Sequence, residues 1–331
     1  THPLCDDLVK IGSIQKCIEY PIEILFCRIC YTAYQKFQVS KQTLFSRDYH
    51  YRARMTGSVL SGMQDLVNSI ERKVGSLKNK KCLDIGCNDG SLLNYFKKKG
   101  CKTLGVEPTG AAKECKHKVI NKFFDKKVAI QIKNSNFVPD IITFTNVFAH
   151  IENLNNLINN LKIIVSPNTV LVVENHYLGS VLKYGQFDTF YHEHPRTYSL
   201  KSFVNISKKI NINLIDFKFV KRYNGNIRVY LKNSGKIYKS RKEIKQSLIL
   251  EKKKINNIRN FQKKVNKWKI NKKKQIEKIT KKYGPLPAKA FPGRASISIN
   301  LLSLNSNHIS KVYEKNSSLK VNKFIPGTDI K

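Results

Sequence analysis

The sequence predicts an α/β fold in three parts, centred on a largely parallel sheet with helices on both faces. From residue 79 onward, short apolar runs alternate with helical stretches, the pattern of strands joined by crossover helices. A glycine-bearing turn within LDIGCNDGSLL, residues 83–93, follows the first of these strands and opens the next helix. The length of 331 residues supports more than one domain, at roughly 150 residues each.

The elements follow in order. Residues 1–42 read as a small head of short strand-like runs, in which IEILF leads into CRIC with Cys27 and Cys30. Residues 44–77 read as an aromatic and basic loop followed by a helix, whose apolar positions Leu60, Met63, Leu66, Val67 and Ile70 recur three or four apart. KKCLDIG is a strand, and SLLNYFKKKG starts the next helix. CKTLGVEP is a second strand, and AAKECKHK opens a second helix. PDIITFTN is a later strand, IENLNNLINNLKIIV is helix-like, and NTVLVVEN is another strand. Residues 177–206 interrupt this rhythm with polar and aromatic side chains. NINLIDFKFVKRY and NIRVYLKN then read as paired strands, so the sheet is expected to end in an antiparallel hairpin. Region 241–282 carries 17 Lys or Arg against three Glu. Its intermittent apolar stripe (Ile244, Leu248, Ile255, Ile258, Phe261, Val265, Trp268, Ile276, Ile279) predicts one long docked helix with a solvated lysine face. Further short strands follow Gly284-Pro285. The expected divisions are 1–42, 43–235 and 236–331.

Composition bounds the function. A hydrophobic share of 41% is enough for sizeable cores and excludes a globally disordered or collagen-like chain. No run approaches the roughly 18 uninterrupted apolar residues of a membrane helix. Lys and Arg number 61 against 23 Asp and Glu, a net charge of +38. Such an excess attracts nucleic acid and would equally welcome a diphosphate. It is almost all Lys and comes with abundant Asn and Ile, which also fits a genome-wide composition bias. The eight cysteines do not space out as a secreted disulfide framework, so a reducing cytoplasm is the expected setting. The chain opens on Thr1 rather than Met, as a processed, trimmed or partial sequence would, and its first residues show no secretory pattern.

The glycine turn constrains its ligand. Asp84 ends the strand, and Gly86 permits a backbone conformation and a close approach denied to other residues. Gly90 allows tight passage into the helix. A dinucleotide site would use GxGxxG, whereas here Cys87 and Asn88 follow Gly86, and Asp89 would repel phosphates. S-adenosylmethionine is the better match, being cationic and phosphate-free. Asp84 would face its amino-acid end, and the backbone amides of the turn would meet its carboxylate. Glu107, at the end of the next strand in LGVEP, suits two ribose hydroxyls. Asn146 follows the third strand, beside the crevice where such sheets bind ligands, and His150 lies four residues on.

A second cluster carries acid–base groups. YHEHPRTYS holds Tyr191, His192, Glu193, His194, Arg196 and Tyr198, and NGNIRVY holds Asn226 and Arg228. Methyl transfer to carbon needs a base that removes a proton beside a carbonyl. Histidine, with a pKa of about 6.5, does this near neutrality. A tyrosine or second histidine can stabilise the resulting enolate. Arg228 can meet a diphosphate or carboxylate as a planar fork. A metal held by His192, Glu193 and His194 is the alternative reading of the same run.

HPLCDDL, the Cys27–Cys30 pair, LFSRDYHYR, LDIGCNDGSLL, GVEP, NVFAHI, FDTFYHEHPRTYS, NGNIRVY and KFIPGTDI stand in one order along nearly the whole chain. In this the sequence resembles the bacterial sugar C-methyltransferases, which act on nucleotide-linked 4-keto sugars. The resemblance implies a zinc-binding amino-terminal head, a central class I, Rossmann-like methyltransferase domain, and a carboxyl-terminal Rossmann-like domain for the nucleotide-sugar. It implies His194 as the base at C3 of the sugar. Tyr191 and His150 would contact sugar oxygens, Glu193 would shape the site, and Tyr49 and Tyr51 would close over it. Taken together, the expected methyl-donor contacts are Asp84, Gly86, Asn88, Asp89, Gly90, Glu107 and Asn146, and the expected substrate contacts are Tyr49, Tyr51, Arg196, Tyr198, Asn226 and Arg228.

Two departures stand out. Family heads carry two CxxC pairs, and here Cys27 and Cys30 form one, while Cys5 and Cys17 lie twelve apart. The zinc site is therefore expected to be incomplete, with an upstream segment as the place for the missing pair. PAKAFPGRASISIN, 287–300, replaces a more glycine-rich turn, with Gly293 and Arg294 as its phosphate-facing candidates. The competing functions are a sugar O-methyltransferase, an RNA or DNA methyltransferase using the lysine-rich helix, and a non-catalytic module that binds the methyl donor.

Overall fold

In this computed structural model the described residues are 1–331 except 6, 12–16, 48, 234–237, 257, 292, 317 and 319. The expected division after residue 235 falls outside them. The head carries a short antiparallel pair, β1 (Ile24–Phe26) and β2 (Ala33–Gln35). Helix α1 spans Gly57–Val74 and buries Met63, Leu66, Val67 and Ile70, the predicted apolar face, with Leu60 half-buried at its edge.

The core then runs β3 (Lys81–Ile85), α2 (Ser91–Lys98), β4 (Lys102–Val106), β5 (Lys118–Ile120), α3 (Lys126–Asn134), β6 (Ile141–Thr145), α4 (Leu154–Ile164) and β7 (Val170–His176). After β7 come α5 (Leu178–Tyr184), β8 (Arg196–Thr197), α6 (Leu200–Ile210), β9 (Asn213–Val220) and β10 (Asn226–Lys232). AAKECKHK departs from its predicted helix. It forms one 3₁₀ turn, Gly110–Glu114, followed by the unpredicted strand β5. The crossover helix is the later α3, which Asp125 caps by accepting from the Val128 amide at 2.8 Å.

Seven strands form one sheet in the order β9-β10-β7-β6-β3-β4-β5. The five from β7 to β5 are parallel, and β10 and β9 add an antiparallel hairpin at one edge, as the sequence predicts. Helices α3, α4 and α6 pack on one face, and α1 and α2 on the other. The fold is therefore α/β of the three-layer, Rossmann-like type. All seven residues of β7 are buried, the mark of a central strand.

The basic region differs from the single helix predicted. It forms α7 (Arg241–Ile255) and α8 (Ile258–Tyr283). Ser240 and Glu243 make a reciprocal capping box that starts α7. Trp268 and Ile276 of α8 pack on a small core with Phe291, Ile299 and Leu302. This last region holds β11 (Leu286–Lys289), α9 (Ala295–Leu301) and β12 (Ile309–Tyr313), with β11 parallel to β12. None of the described helices is long and apolar enough to cross a membrane.

Candidate active site

One cavity of about 2040 Å³ opens outside the carboxyl ends of β3, β4, β6 and β7. Its walls include Asp84, Gly86, Asn88 and Glu107 on one side and His150, Tyr191, Glu193 and His194 on the other. Parallel strands end together, so the turns after each strand converge there.

On the first side Gly86 adopts φ +76°, and a Cβ there would lie 2.4 Å from Val147 Cγ2. Only glycine meets both demands. Asp84 is buried and accepts from Thr143 Oγ1 at 2.7 Å. Burial pushes its pKa up to about 7, the Thr143 hydrogen bond opposes that, and the Glu107 charge adds to it. Glu107 accepts from the amide and hydroxyl of Thr109 at 2.9 and 2.6 Å and from the Asn88 amide at 2.9 Å. A carboxylate has about four lone-pair sites, so three donors leave capacity for a ligand hydroxyl. Two enclosed carboxyl groups on this side suit a cationic ligand that carries hydroxyls.

Asp89 and Gly90 are placed differently from the expectation, since neither lines the cavity. Asp89 turns back to cap α2, accepting from the Ser91 amide at 3.2 Å and hydroxyl at 2.6 Å, and takes the Arg54 amide at 3.0 Å. Gly90 faces Cys115 and makes the left-handed entry to α2. Asn88 ties the turn to the aromatic loop, accepting from the Ala53 amide at 2.9 Å and donating to the Tyr51 carbonyl at 3.0 Å. Asn146 lines the cavity at φ +56° and accepts from the side-chain amide of Asn226 at 3.0 Å.

On the second side the chain turns at 191–194, where the His194 amide donates to the Tyr191 carbonyl at 2.8 Å. Gln35 of β2 is buried and donates to both the Tyr191 and His194 carbonyls, at 2.5 and 3.2 Å. The head thus holds the turn in place. His194 Nδ1 faces the Thr189 carbonyl at 2.9 Å. A carbonyl only accepts, so Nδ1 carries the proton and Nε2 the lone pair. Burial holds the His194 pKa well below the usual histidine value, helped by His150, His176 and Arg294, so the ring is neutral. Its centroid lies 4.5 Å from Tyr191, 4.9 Å from His150 and 5.2 Å from His176. Glu193 accepts from Tyr49 at 3.2 Å and from Tyr191 at 3.5 Å.

Four expected substrate contacts do not line the cavity. Arg196 donates to the Ile151 and Glu152 carbonyls. Tyr198 is fully buried, its hydroxyl 3.4 Å from the Phe148 carbonyl. Asn226 and Arg228 are buried around Glu174, with Arg228 Nε donating to it at 2.7 Å. The register explains this, because the hairpin sets Arg228 opposite Glu174 and Asn226 opposite His176. Tyr49 and Tyr51 do line the cavity. His176, Arg222 and Tyr223 line it as well, although sequence reasoning passed them over. The available signal for His176 was its place at the end of a core strand.

The metal readings do not fit. His192 points away, its ring against Tyr20 and its Nε2 on the Tyr20 carbonyl, so it cannot converge with His194. In the head, the Cys30 amide lies 3.5 Å from Cys27 Sγ, and Cys30 Sγ donates to Thr32. Cys5 and Cys17 instead contact Ser296 and Gly327. Two thiols fall short of a tetrahedral zinc set. Among the described residues no group of three or more His, Cys, Asp or Glu could hold a metal ion.

A family model described as a methyltransferase domain matches residues 51–216, half of the sequence. The chain belongs to the methyltransferase-domain family. The match runs from Tyr51 in the aromatic loop to Asp216 in β9, so this methyltransferase domain includes both sides of the cavity. The curated relative C-methyltransferase NovU of Streptomyces niveus is 26% identical over 215 residues, 64% of this chain and 51% of NovU. The matched part of the methyltransferase thus spans about half the length of that relative. Among solved structures, a SAM-dependent methyltransferase from Archaeoglobus fulgidus is 16% identical, with a TM-score of 0.41 over 51% of this chain and 94% of that one. Magnesium protoporphyrin IX methyltransferase (ChlM) from Synechocystis PCC 6803, with bound SAM, is 12% identical, with a TM-score of 0.42 over 59% and 98%.

Proposed function

We propose that this chain methylates a carbon of a nucleotide-linked 4-keto sugar, with S-adenosylmethionine as methyl donor and His194 as base. The observation that carries the reading is the single cavity walled by the Asp84–Glu107 side and the Tyr191–His194 side. Its similarity to a C-methyltransferase supports carbon as the acceptor. The third wall, with Phe291, Gly293, Arg294 and Lys320, gives the cations a diphosphate would need. The eight free thiols fit a reducing, cytoplasmic setting.

Asp84, Glu107 and Asn88 hold the methyl donor, which when bound supplies an electrophilic methyl carbon. His194 Nε2 takes the proton from the sugar carbon beside the carbonyl, while its Nδ1–H stays on Thr189. The C–H electron pair moves into the ring and charge collects on the carbonyl oxygen. The carbon then uses that pair to bond the methyl group, while the methyl–sulfur bond breaks, its electron pair stays on sulfur, and S-adenosylhomocysteine leaves. Tyr49 and Tyr191 fix the Glu193 carboxylate at the site's edge. Arg196, Tyr198, Asn226 and Arg228 act from behind, by holding the turns that carry these groups.

The test uses methyl-labelled donor and a panel of nucleoside-diphosphate 4-keto hexoses and heptoses. Mass spectrometry and NMR are expected to find label bonded to carbon, and reduction of the ketone should abolish transfer. His194→Ala should lose turnover by roughly a hundredfold or more while still binding S-adenosylhomocysteine. Label on oxygen, or a fully active His194→Ala, refutes the reading.

A further inference from the structure

Charge on the substrate oxygen needs a hydrogen-bond donor, and the rings around His194 have largely spent theirs. A neutral imidazole carries one N–H. That of His194 goes to Thr189. His150 Nδ1 faces the Glu193 carbonyl at 2.6 Å. The Tyr49 hydroxyl donates to Glu193 at 3.2 Å, and that of Tyr191 lies 3.5 Å from the same carboxylate.

His176 differs. It ends β7, is 8% exposed, and lines the cavity beside His194. Its Nε2 is buried and meets no hydrogen-bond partner among the described residues. Leaving a buried polar atom unpaired costs about 1–3 kcal/mol, so this atom, on a ring that borders the cavity, calls for a partner. The ring is braced from the other side by Tyr223, stacked at 5.2 Å and 29°. Tyr223 itself stands at φ +51°, a left-handed conformation unfavourable for an aromatic residue, and Gln186 ties down its carbonyl at 2.9 Å. Strain of this kind persists where surrounding structure enforces it, typically at functional sites.

We propose that His176 is a further catalytic residue, a neutral imidazole that donates its N–H to the substrate oxygen on which negative charge develops. It keeps its proton throughout and acts by hydrogen bonding, while His194 alone accepts the carbon-bound proton. Burial, then Arg294, His150 and Arg222, push the His176 pKa down to about 3, so the ring is uncharged during turnover. A neutral imidazole in this role is established chemistry in other enzymes. The inference rests on the keto-sugar reading above.

The test measures two rates on the same keto-sugar panel: methyl transfer, and exchange of the sugar proton with deuterated solvent in the presence of S-adenosylhomocysteine. His176→Phe keeps a ring against Tyr223 and removes the donor. It should lower both rates by about a hundredfold, the usual loss for one oxyanion donor, with S-adenosylhomocysteine binding unchanged. His176→Gln restores a donor and should recover at least tenfold of the loss, mainly in kcat rather than KM. His176→Leu serves if the Phe variant does not fold. Wild-type exchange in the Phe or Leu variant, or a Gln variant no better than either, overturns the proposal. A wild-type enzyme that neither exchanges nor methylates any keto sugar refutes the keto-sugar reading itself, and this role for His176 with it.

Discussion

Asp84 sits enclosed at the end of β3 with one hydroxyl, that of Thr143, at 2.7 Å. Its raised pKa has a stability consequence. The folded state holds the proton more tightly than the unfolded chain, so folding is favoured at low pH and that advantage is lost as pH rises from about 4 to about 7. Glu107 and Cys115 face the same carboxyl and push in the same direction. Asp84→Asn removes the penalty and keeps an acceptor for Thr143. Its melting temperature should therefore gain on the wild type through that window and hold the gain above it, measured by calorimetry across pH. Above about pH 7, where the Asp84 carboxyl is ionised, the same variant should bind S-adenosylmethionine roughly tenfold or more weakly, since it loses a charged partner. A variant with no pH-dependent gain would show that Asp84 is not forced neutral by burial. At this scale the sequence was readable for Asp84, Gly86 and Glu107, because their chemistry is local to strand ends. It was not readable for Asp89 or Arg228. A carboxylate two residues before a helix amide is taken by it, and an arginine opposite a buried glutamate is taken by that glutamate.

Among the elements, β2 does more than complete a head. Its buried Gln35 spans the carbonyls of Tyr191 and His194, and its register with β8 fixes the chain immediately after them. Gln35→Leu leaves two carbonyls of the 191–194 turn without this donor. Displacing a reacting group by about 1 Å can cost about a hundredfold, so turnover should fall at least tenfold. Binding of S-adenosylhomocysteine should not change, because the methyl-donor side hangs on β3 and β4. Stopped-turnover and calorimetric measurements on the one variant separate these outcomes, and equal losses in both would mean the head supports the whole fold rather than the turn. Nothing in the sequence linked residue 35 to residue 191, because the contact comes from strand pairing across 156 positions. The misplaced second helix has a similar cause. AAKECKHK has helical composition, yet Thr109 caps only a short turn before the chain must rejoin the sheet as β5.

Over the whole molecule, α7 and α8 carry +14 of the net charge of +38, and none of their described residues lines the cavity. Lys263, Lys267, Lys274 and Lys278 of α8 are exposed, while Trp268 and Ile276 dock on the last small core. The lysine face is thus solvated, and its attraction for polyanions is non-specific and screened by salt. Replacing these four lysines with glutamine should lower the salt needed to elute the protein from heparin and leave keto-sugar turnover unchanged. A matching loss of turnover would favour a substrate that runs along α8, as a nucleic acid would.

The sequence by itself determined the layer order, the antiparallel hairpin at the sheet edge, the glycine turn and the identity of the acid–base run. These depend on periodicity and on residues close together in the chain, where hydrophobic spacing and backbone freedom act locally. Only the tertiary structure decided which of those groups face a common cavity. It turned His192 and Asp89 away, took Asn226 and Arg228 into a buried network with Glu174, and brought His176 in. That choice rests on strand register and on the satisfaction of buried charge, both of which join residues far apart along the chain.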